Sequence, residues 1–271
     1  MNMMAGLLVS LVMTTMVTLV AVLADPPSSW PVRAIIFFAA SGLLGDGVGR
    51  IAFLGGVHRL GPSTAVPIQT AIYPALAVVL GIVLLSESVP ASRLLGVGAV
   101  VVGVWTLTSG SEPDYEQSSA IRRTSELRQH RVAFSLPAVA GVAFGSADVL
   151  RKEGLDYLPS PALGATVAAL AALAAWACIV GAAAPLRRQV HMGDGAGWFA
   201  VSGVLQGLGL LALFGALDAG NVSSVAPIVA SQPLVVVVFS AFLLKEVEAL
   251  SWSIIVGSFL TMVGVIVVVL A

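Results

Sequence analysis

Nine stretches of about twenty apolar residues follow one another along this 271-residue chain, at roughly 3–24, 33–57, 63–86, 90–110, 132–152, 161–184, 196–218, 222–245 and 249–270. A helix rises about 1.5 Å per residue, so each stretch matches the thickness of a bilayer's hydrocarbon core. In lipid every backbone polar group must be satisfied within the protein, and a run this long does so only as a helix. The chain is 58% hydrophobic and 10% charged, with a mean hydropathy of +1.00, where soluble domains carry about 25% charged residues. The expected fold is an all-α polytopic membrane bundle of nine transmembrane helices, multi-pass in the cell (plasma) membrane.

Thirteen basic and fourteen acidic side chains nearly cancel, which argues against a nucleic-acid partner. Cys178 is the single cysteine; it excludes an internal disulfide and reads as a small packing residue. The N-terminal run lacks a basic leader and is too long for a signal core, so it reads as the first spanning helix. No HExxH, strand-borne GxSxG or P-loop occurs. An enzyme is not expected, nor a metal or cofactor. His58, Arg59, Arg187, Arg188 and His191 read as loop residues, and Trp105, Trp176, Trp198 and Trp252 as interface anchors or packing.

One polar segment, SGSEPDYEQSSAIRRTSELRQHR (109–131), divides the chain. An offset of 159 residues lays the two sides on each other. Gly61 then meets Gly220, Val66 Val225, Pro74 Pro233, Leu84-Leu85 Leu243-Leu244, Glu87 Glu246 and Gly98 Gly257. The first repeat (1–110) has four helices, followed by a linker (111–131) and a five-helix second repeat (132–271). An odd number per repeat inverts the second copy, the pattern of secondary transporters. The first repeat lacks a counterpart of the fifth helix. Either the protein dispenses with it or the start shown is internal to a longer product, and the second reading is preferred.

Matching segments of the repeats carry paired prolines, PIQTAIYP (67–74) and PIVASQP (227–233). Proline removes a backbone donor and kinks a helix. Interrupted helices at equivalent places point to a site near the bilayer midplane. Pro67, Pro74, Pro227 and Pro233 are therefore the expected kinks, and Gln69, Tyr73, Ser231 and Gln232 the polar groups beside them. Those groups either line a cavity or bond back to their own helix. Glu87 and Glu246 close these helices and read as caps of the helix that follows.

The stretch GLLGDGVGR (42–50) places Asp46 and Arg50 inside an apolar run. A charge at the bilayer centre costs about 2.5–3.5 kcal/mol on insertion scales and generally faces the bundle interior. Four residues apart, the two share a helix face and can form an ion pair; Gly45, Gly47 and Gly49 allow close helix approach. The pair either neutralises itself as scaffold or lines a cavity. The offset sets Gln206 opposite Gly47, a polar residue without a matching charge. Asp148, in FGSADVLRKEG (144–154), lies near the expected helix end beside Arg151 and Lys152, where interfacial snorkelling accounts for it.

A proline-bearing helix ending in Glu and followed by a Gly-rich helix, at 60–107 and again at 219–270, resembles the EamA-type repeat of the drug/metabolite transporter superfamily. The resemblance implies ten helices in two inverted halves around a central cavity, and transport of metabolites, amino acids or drugs. It carries Gln69, Tyr73 and Gln232 over as cavity candidates by their place in the repeated helices. The absent first helix is a departure, since that helix normally lines the cavity.

The expected function is a permease moving small solutes by alternating access, with Asp46, Arg50, Gln69, Tyr73, Gln206, Ser231 and Gln232 as substrate-binding candidates. Proton coupling through Asp46 is a weaker expectation. The rivals are a non-transporting membrane scaffold and a lipid flippase. Expected partners are a small-molecule substrate and the bilayer; a homodimer is admitted without being required. Charge counting gives eight Lys or Arg on the N-terminal side (Arg59, Arg122, Arg123, Arg128, Arg131, Arg187, Arg188, Lys245) and four opposite (Arg33, Arg93, Arg151, Lys152). That puts the N-terminal side in the cytoplasm, whereas the family usually has its C-terminus there.

Overall fold

The computed structural model describes residues 3–60, 62–109, 125–182, 196–232 and 252–271. The described residues form helices joined by short turns, without a strand. In order they are α1 (Met3–Ala24), α2 (Val32–Gly42), a π-helical segment (Leu43–Gly49), α3 (Arg50–Leu60), α4 (Pro62–Leu84), α5 (Ala91–Ser109), α6 (Ser125–Tyr157), α7 (Pro161–Ala182), α8 (Ala196–Ala219), α9 (Val222–Ala230) and α10 (Trp252–Leu270). With α2, the π segment and α3 forming one continuous rod, the described residues form nine rods, and each overlaps one of the nine apolar stretches. Five described spans are long and apolar enough to cross a membrane: Gly6–Ala24, Val32–Leu60, Ala133–Tyr157, Pro161–Gly181 and Ala196–Ala219. Large apolar side chains lie exposed along the rods, Leu95 at 75% for example, a surface suited to lipid and unsuited to water.

Two compact units divide the chain: residues 1–47 with 147–221, and residues 48–146 with 222–271. Each draws on both sequence repeats.

In the first unit, α1 lies along α8. Thr14 Oγ1 donates to the Gly203 carbonyl at 3.0 Å, and a Cβ at Gly203 would collide with the Ser10 backbone. Gly42, at the end of α2, meets the Ala168 backbone of α7 in the same way. Small residues permit such approach where lipid supplies no hydrophobic drive between helices. Phe38 and Phe214, both fully buried, meet edge to face at 5.8 Å. Cys178 is exposed on α7; the expected packing role does not hold, because the buried positions around it fall on Trp176 and Val180.

In the second unit, α5 and α10 pack closely, with Gly103 against Thr261 and Gly96 against Gly264. Val78 of α4 joins Val97 and Val268 in a buried cluster. Pro137, inside α6, fits against Gly56 of α3.

Two further expectations change. The proline segment of the first repeat is not broken: α4 runs unbroken through Pro67 and Pro74, and Thr70 Oγ1 bonds back to Val66 O at 2.7 Å between them. Its copy is interrupted, because α9 ends at Ala230 and Ser231 forms a turn. Pro227 lies inside α9, whereas Pro233 and Glu246 lie outside the described residues. Lastly, α6 reaches beyond 132–152 at both ends, since its amphiphilic ends remain helical past the apolar run.

Candidate functional site

A π-helical turn closes one residue later than an α turn, and such turns recur at functional sites. Here the segment LLGDGVG (43–49) carries Asp46. Glycine-rich sequence has little side-chain packing to hold an α register, and the wide turn interrupts an otherwise apolar rod. Trp176 of α7, buried, donates its indole N–H to the Asp46 backbone carbonyl at 3.4 Å.

The Asp46 side chain meets groups from two further helices. Arg151 Nη2 of α6 lies 3.5 Å from Asp46 Oδ2, and the Gln206 amide of α8 donates to Asp46 Oδ1 at 3.5 Å. Gln206 in turn accepts from Ser10 Oγ of α1 at 3.3 Å. Five elements of the first unit thus converge through named polar contacts.

Arg151 is the hub. Its Nη1 donates to Asp148 Oδ1 at 2.6 Å, one turn back on α6, and its guanidinium carbon sits 5.7 Å from the centre of the Phe214 ring. Asp148 is 1% exposed and Arg151 4%, while the Asp46 side chain is 14% exposed. The contact to Asp148 has the length of a strong charge-assisted bond and that to Asp46 does not. The guanidinium is thus anchored on one side and loosely held on the other. Gly45 makes room for it: a Cβ there would stand 3.0 Å from Arg151 Nη2 and 3.1 Å from the Ala147 Cβ.

The interfacial reading of Asp148 is therefore overturned. The expected helix end at 152 made Asp148 and Arg151 look terminal; α6 continues to Tyr157 and draws both inside. A sequence signal existed in their i,i+3 spacing on one face of an apolar helix. Arg151 also drops out of the loop-charge count, leaving three of the four on that side. Lys152 faces another way, donating to Leu217 O at 3.0 Å and lying 3.4 Å from Asp156.

Of the expected residues, Asp46 and Gln206 are brought together. Arg50 opens α3, half-buried, one turn past Asp46. Gln69, Tyr73, Ser231 and Gln232 belong to the second unit. There Tyr73 is buried and Gln69 half-buried, four residues apart on α4, and the helix backbone at both residues lies against glycines of α6, Gly141 and Gly145. Ser231 Oγ donates to Ile228 O at 2.6 Å, the back-bonding alternative. Gln232 is exposed. Trp198 and Trp252 are strongly exposed and Trp105 about half exposed, unlike Trp176.

Comparison with known proteins adds two findings. The sequence model of the EamA-like transporter family matches residues 1–109 and 133–270, and so leaves out the polar linker. A crystal structure of a protein matches over 100% of this chain and 89% of its own, with a TM-score of 0.77 at 15% identity, a likeness of fold alone. No curated protein sequence matches this chain.

Proposed function

Because the chain belongs to the EamA-like transporter family, and so to a family of multi-pass membrane transporters, we propose that it is a secondary carrier in the cell membrane. It moves small metabolites, amino acids or drug-like solutes by alternating access. The observation that supports this reading is the Asp46–Arg151–Asp148 cluster. An ionic group held in a membrane-spanning bundle is expensive and by default marks a solute or ion pathway. Its anchoring is uneven in a way that suits binding. Asp148 holds Arg151 in place, while the 3.5 Å contact between Arg151 and the partly exposed Asp46 can part without leaving the guanidinium bare.

A solute bearing both a cationic and an anionic group would replace that contact without changing the net charge of the site. Its ammonium would face Asp46 and Gln206, its carboxylate Arg151. Counterflow in proteoliposomes against a panel of zwitterionic, cationic, anionic and lipid solutes tests the reading. Exchange of zwitterionic solutes is expected. Failure of every water-soluble class would refute the carrier, and movement of long-chain lipids alone would favour a flippase.

A further inference from the structure

The residue that closes α4 does not cap the helix that follows it. Glu87 accepts hydrogen bonds from the first backbone N–H groups of α9, 135 residues away: Val222 N donates to Oε1 at 2.7 Å and Ser223 N to Oε2 at 3.0 Å. A first-repeat residue thus holds the start of a second-repeat helix, inside one compact unit. The helix that follows in sequence, α5, starts instead on Pro90, whose carbonyl accepts from Arg93 N and Leu94 N.

Local backbone aims the carboxylate. Glu87 N donates to Gly81 O at 3.1 Å, closing the end of α4. Ser86 takes a left-handed conformation with φ 53°, one that a non-glycine residue holds only where its surroundings impose it. Gly81 leaves the space the carboxylate fills, since a Cβ there would stand 2.9 Å from Glu87 Oε2. The receiving end is dry: Val222 and Ser223 are both fully buried, and Ser223 Oγ has no hydrogen-bond partner among the described residues.

We propose that Glu87 is a positioning residue for transport, a latch between the repeats that is made in one conformation of the carrier and released in another. The first N–H groups of a helix have no partner within it, and leaving buried donors unmet carries the full cost of their desolvation. Release of Glu87 therefore requires water to reach the start of α9, so that the latch opens only together with wetting of that face. The buried Ser223 hydroxyl gives arriving water a further partner. α9 bears Pro227 and is followed by the Ser231 turn, so the latch sets the position of the interrupted segment. This inference rests on the carrier reading, because a latch that opens needs two conformations.

The test is a distance measurement that requires no known solute. Spin labels are placed at Ser88 and Ile228, both exposed, in a Cys178→Ala background, and the protein is reconstituted in lipid nanodiscs. Two distance populations are expected, with Glu87→Ala shifting the balance to the released one and Glu87→Gln, which keeps one acceptor oxygen, lying between. A single population that persists in Glu87→Ala overturns the latch. A split population untouched by Glu87→Ala also overturns it, by showing motion that Glu87 does not govern. Counterflow on the same preparations reports separately on the carrier: two populations without flux of any solute would leave the latch standing and remove its transport role.

Discussion

Arg151 binds Asp148 through Nη1 at 2.6 Å and leaves Nη2 on a looser contact with Asp46. One arginine thus joins a tight structural pair to a weak and partly accessible one. The following expectations rest on that inequality and on the packing that frames it.

Asp148→Ala removes the anchoring carboxylate and leaves a buried guanidinium short of its main partner. Breaking a buried pair this way costs about 3–5 kcal/mol, read as a large fall in thermal midpoint in detergent. Replacing the pair together, Asp148→Leu with Arg151→Met, restores most of that stability, because matched apolar side chains avoid the desolvation cost. Flux stays lost. Recovery of flux in the double variant would show the pair to be scaffold.

Gly45→Ala and Gly42→Ala separate site from scaffold. At Gly45 the new methyl meets side chains, Arg151 Nη2 at 3.0 Å and the Ala147 Cβ at 3.1 Å, which small shifts relieve, so stability falls by less than at Gly42 while solute affinity changes. At Gly42 it meets the Ala168 backbone, which cannot yield without moving α7. A loss of about 1–3 kcal/mol is expected there, as for other overpacked sites. Unfolding midpoints of the two variants, measured together, check the order.

How much of this was legible in sequence follows from which signals are local. Hydrophobic run length located the rods, since bilayer thickness imposes it on each helix separately. The repeated Pro, Glu and Gly spacing carried the family resemblance. What sequence could not supply was depth: extending α6 only to 152 put Asp148 and Arg151 at a surface, and five further helical residues put them inside. Nor could the offset of 159 reveal that Gln206 reaches Asp46, because their contact joins α8 to a π turn whose register no α-helical wheel reproduces. In α4, Pro67 and Pro74 remain within a continuous helix, so proline there marks no break.

Gln206→Leu tests the weaker arm of the cluster. Its bond to the Asp46 carboxylate is long, so the expected loss of stability is about 1 kcal/mol, below the range of about 1.5–3 kcal/mol for a well-formed bond to a charged group. A several-fold rise in KM with kcat nearly unchanged is expected for solute exchange. A fall in kcat alone would assign Gln206 to the conformational step.

Gly103→Val tests the second unit independently of the site. The added side chain would enter the Thr261 backbone of α10 and separate two helices packed along their small residues. Destabilisation by about 1–3 kcal/mol is expected from overpacking, with the order of solute preference unchanged in whatever protein inserts.

The most direct measurement is solute exchange by Asp46→Asn beside the unaltered protein, in proteoliposomes matched for inserted protein. Asparagine keeps the shape and the amide contact to Gln206 but removes the charge facing Arg151. The prediction is exchange of at least one zwitterionic solute by the unaltered chain and a loss of tenfold or more in Asp46→Asn, which corresponds to at least about 1.4 kcal/mol of lost interaction. Exchange at an undiminished rate in Asp46→Asn would contradict the account.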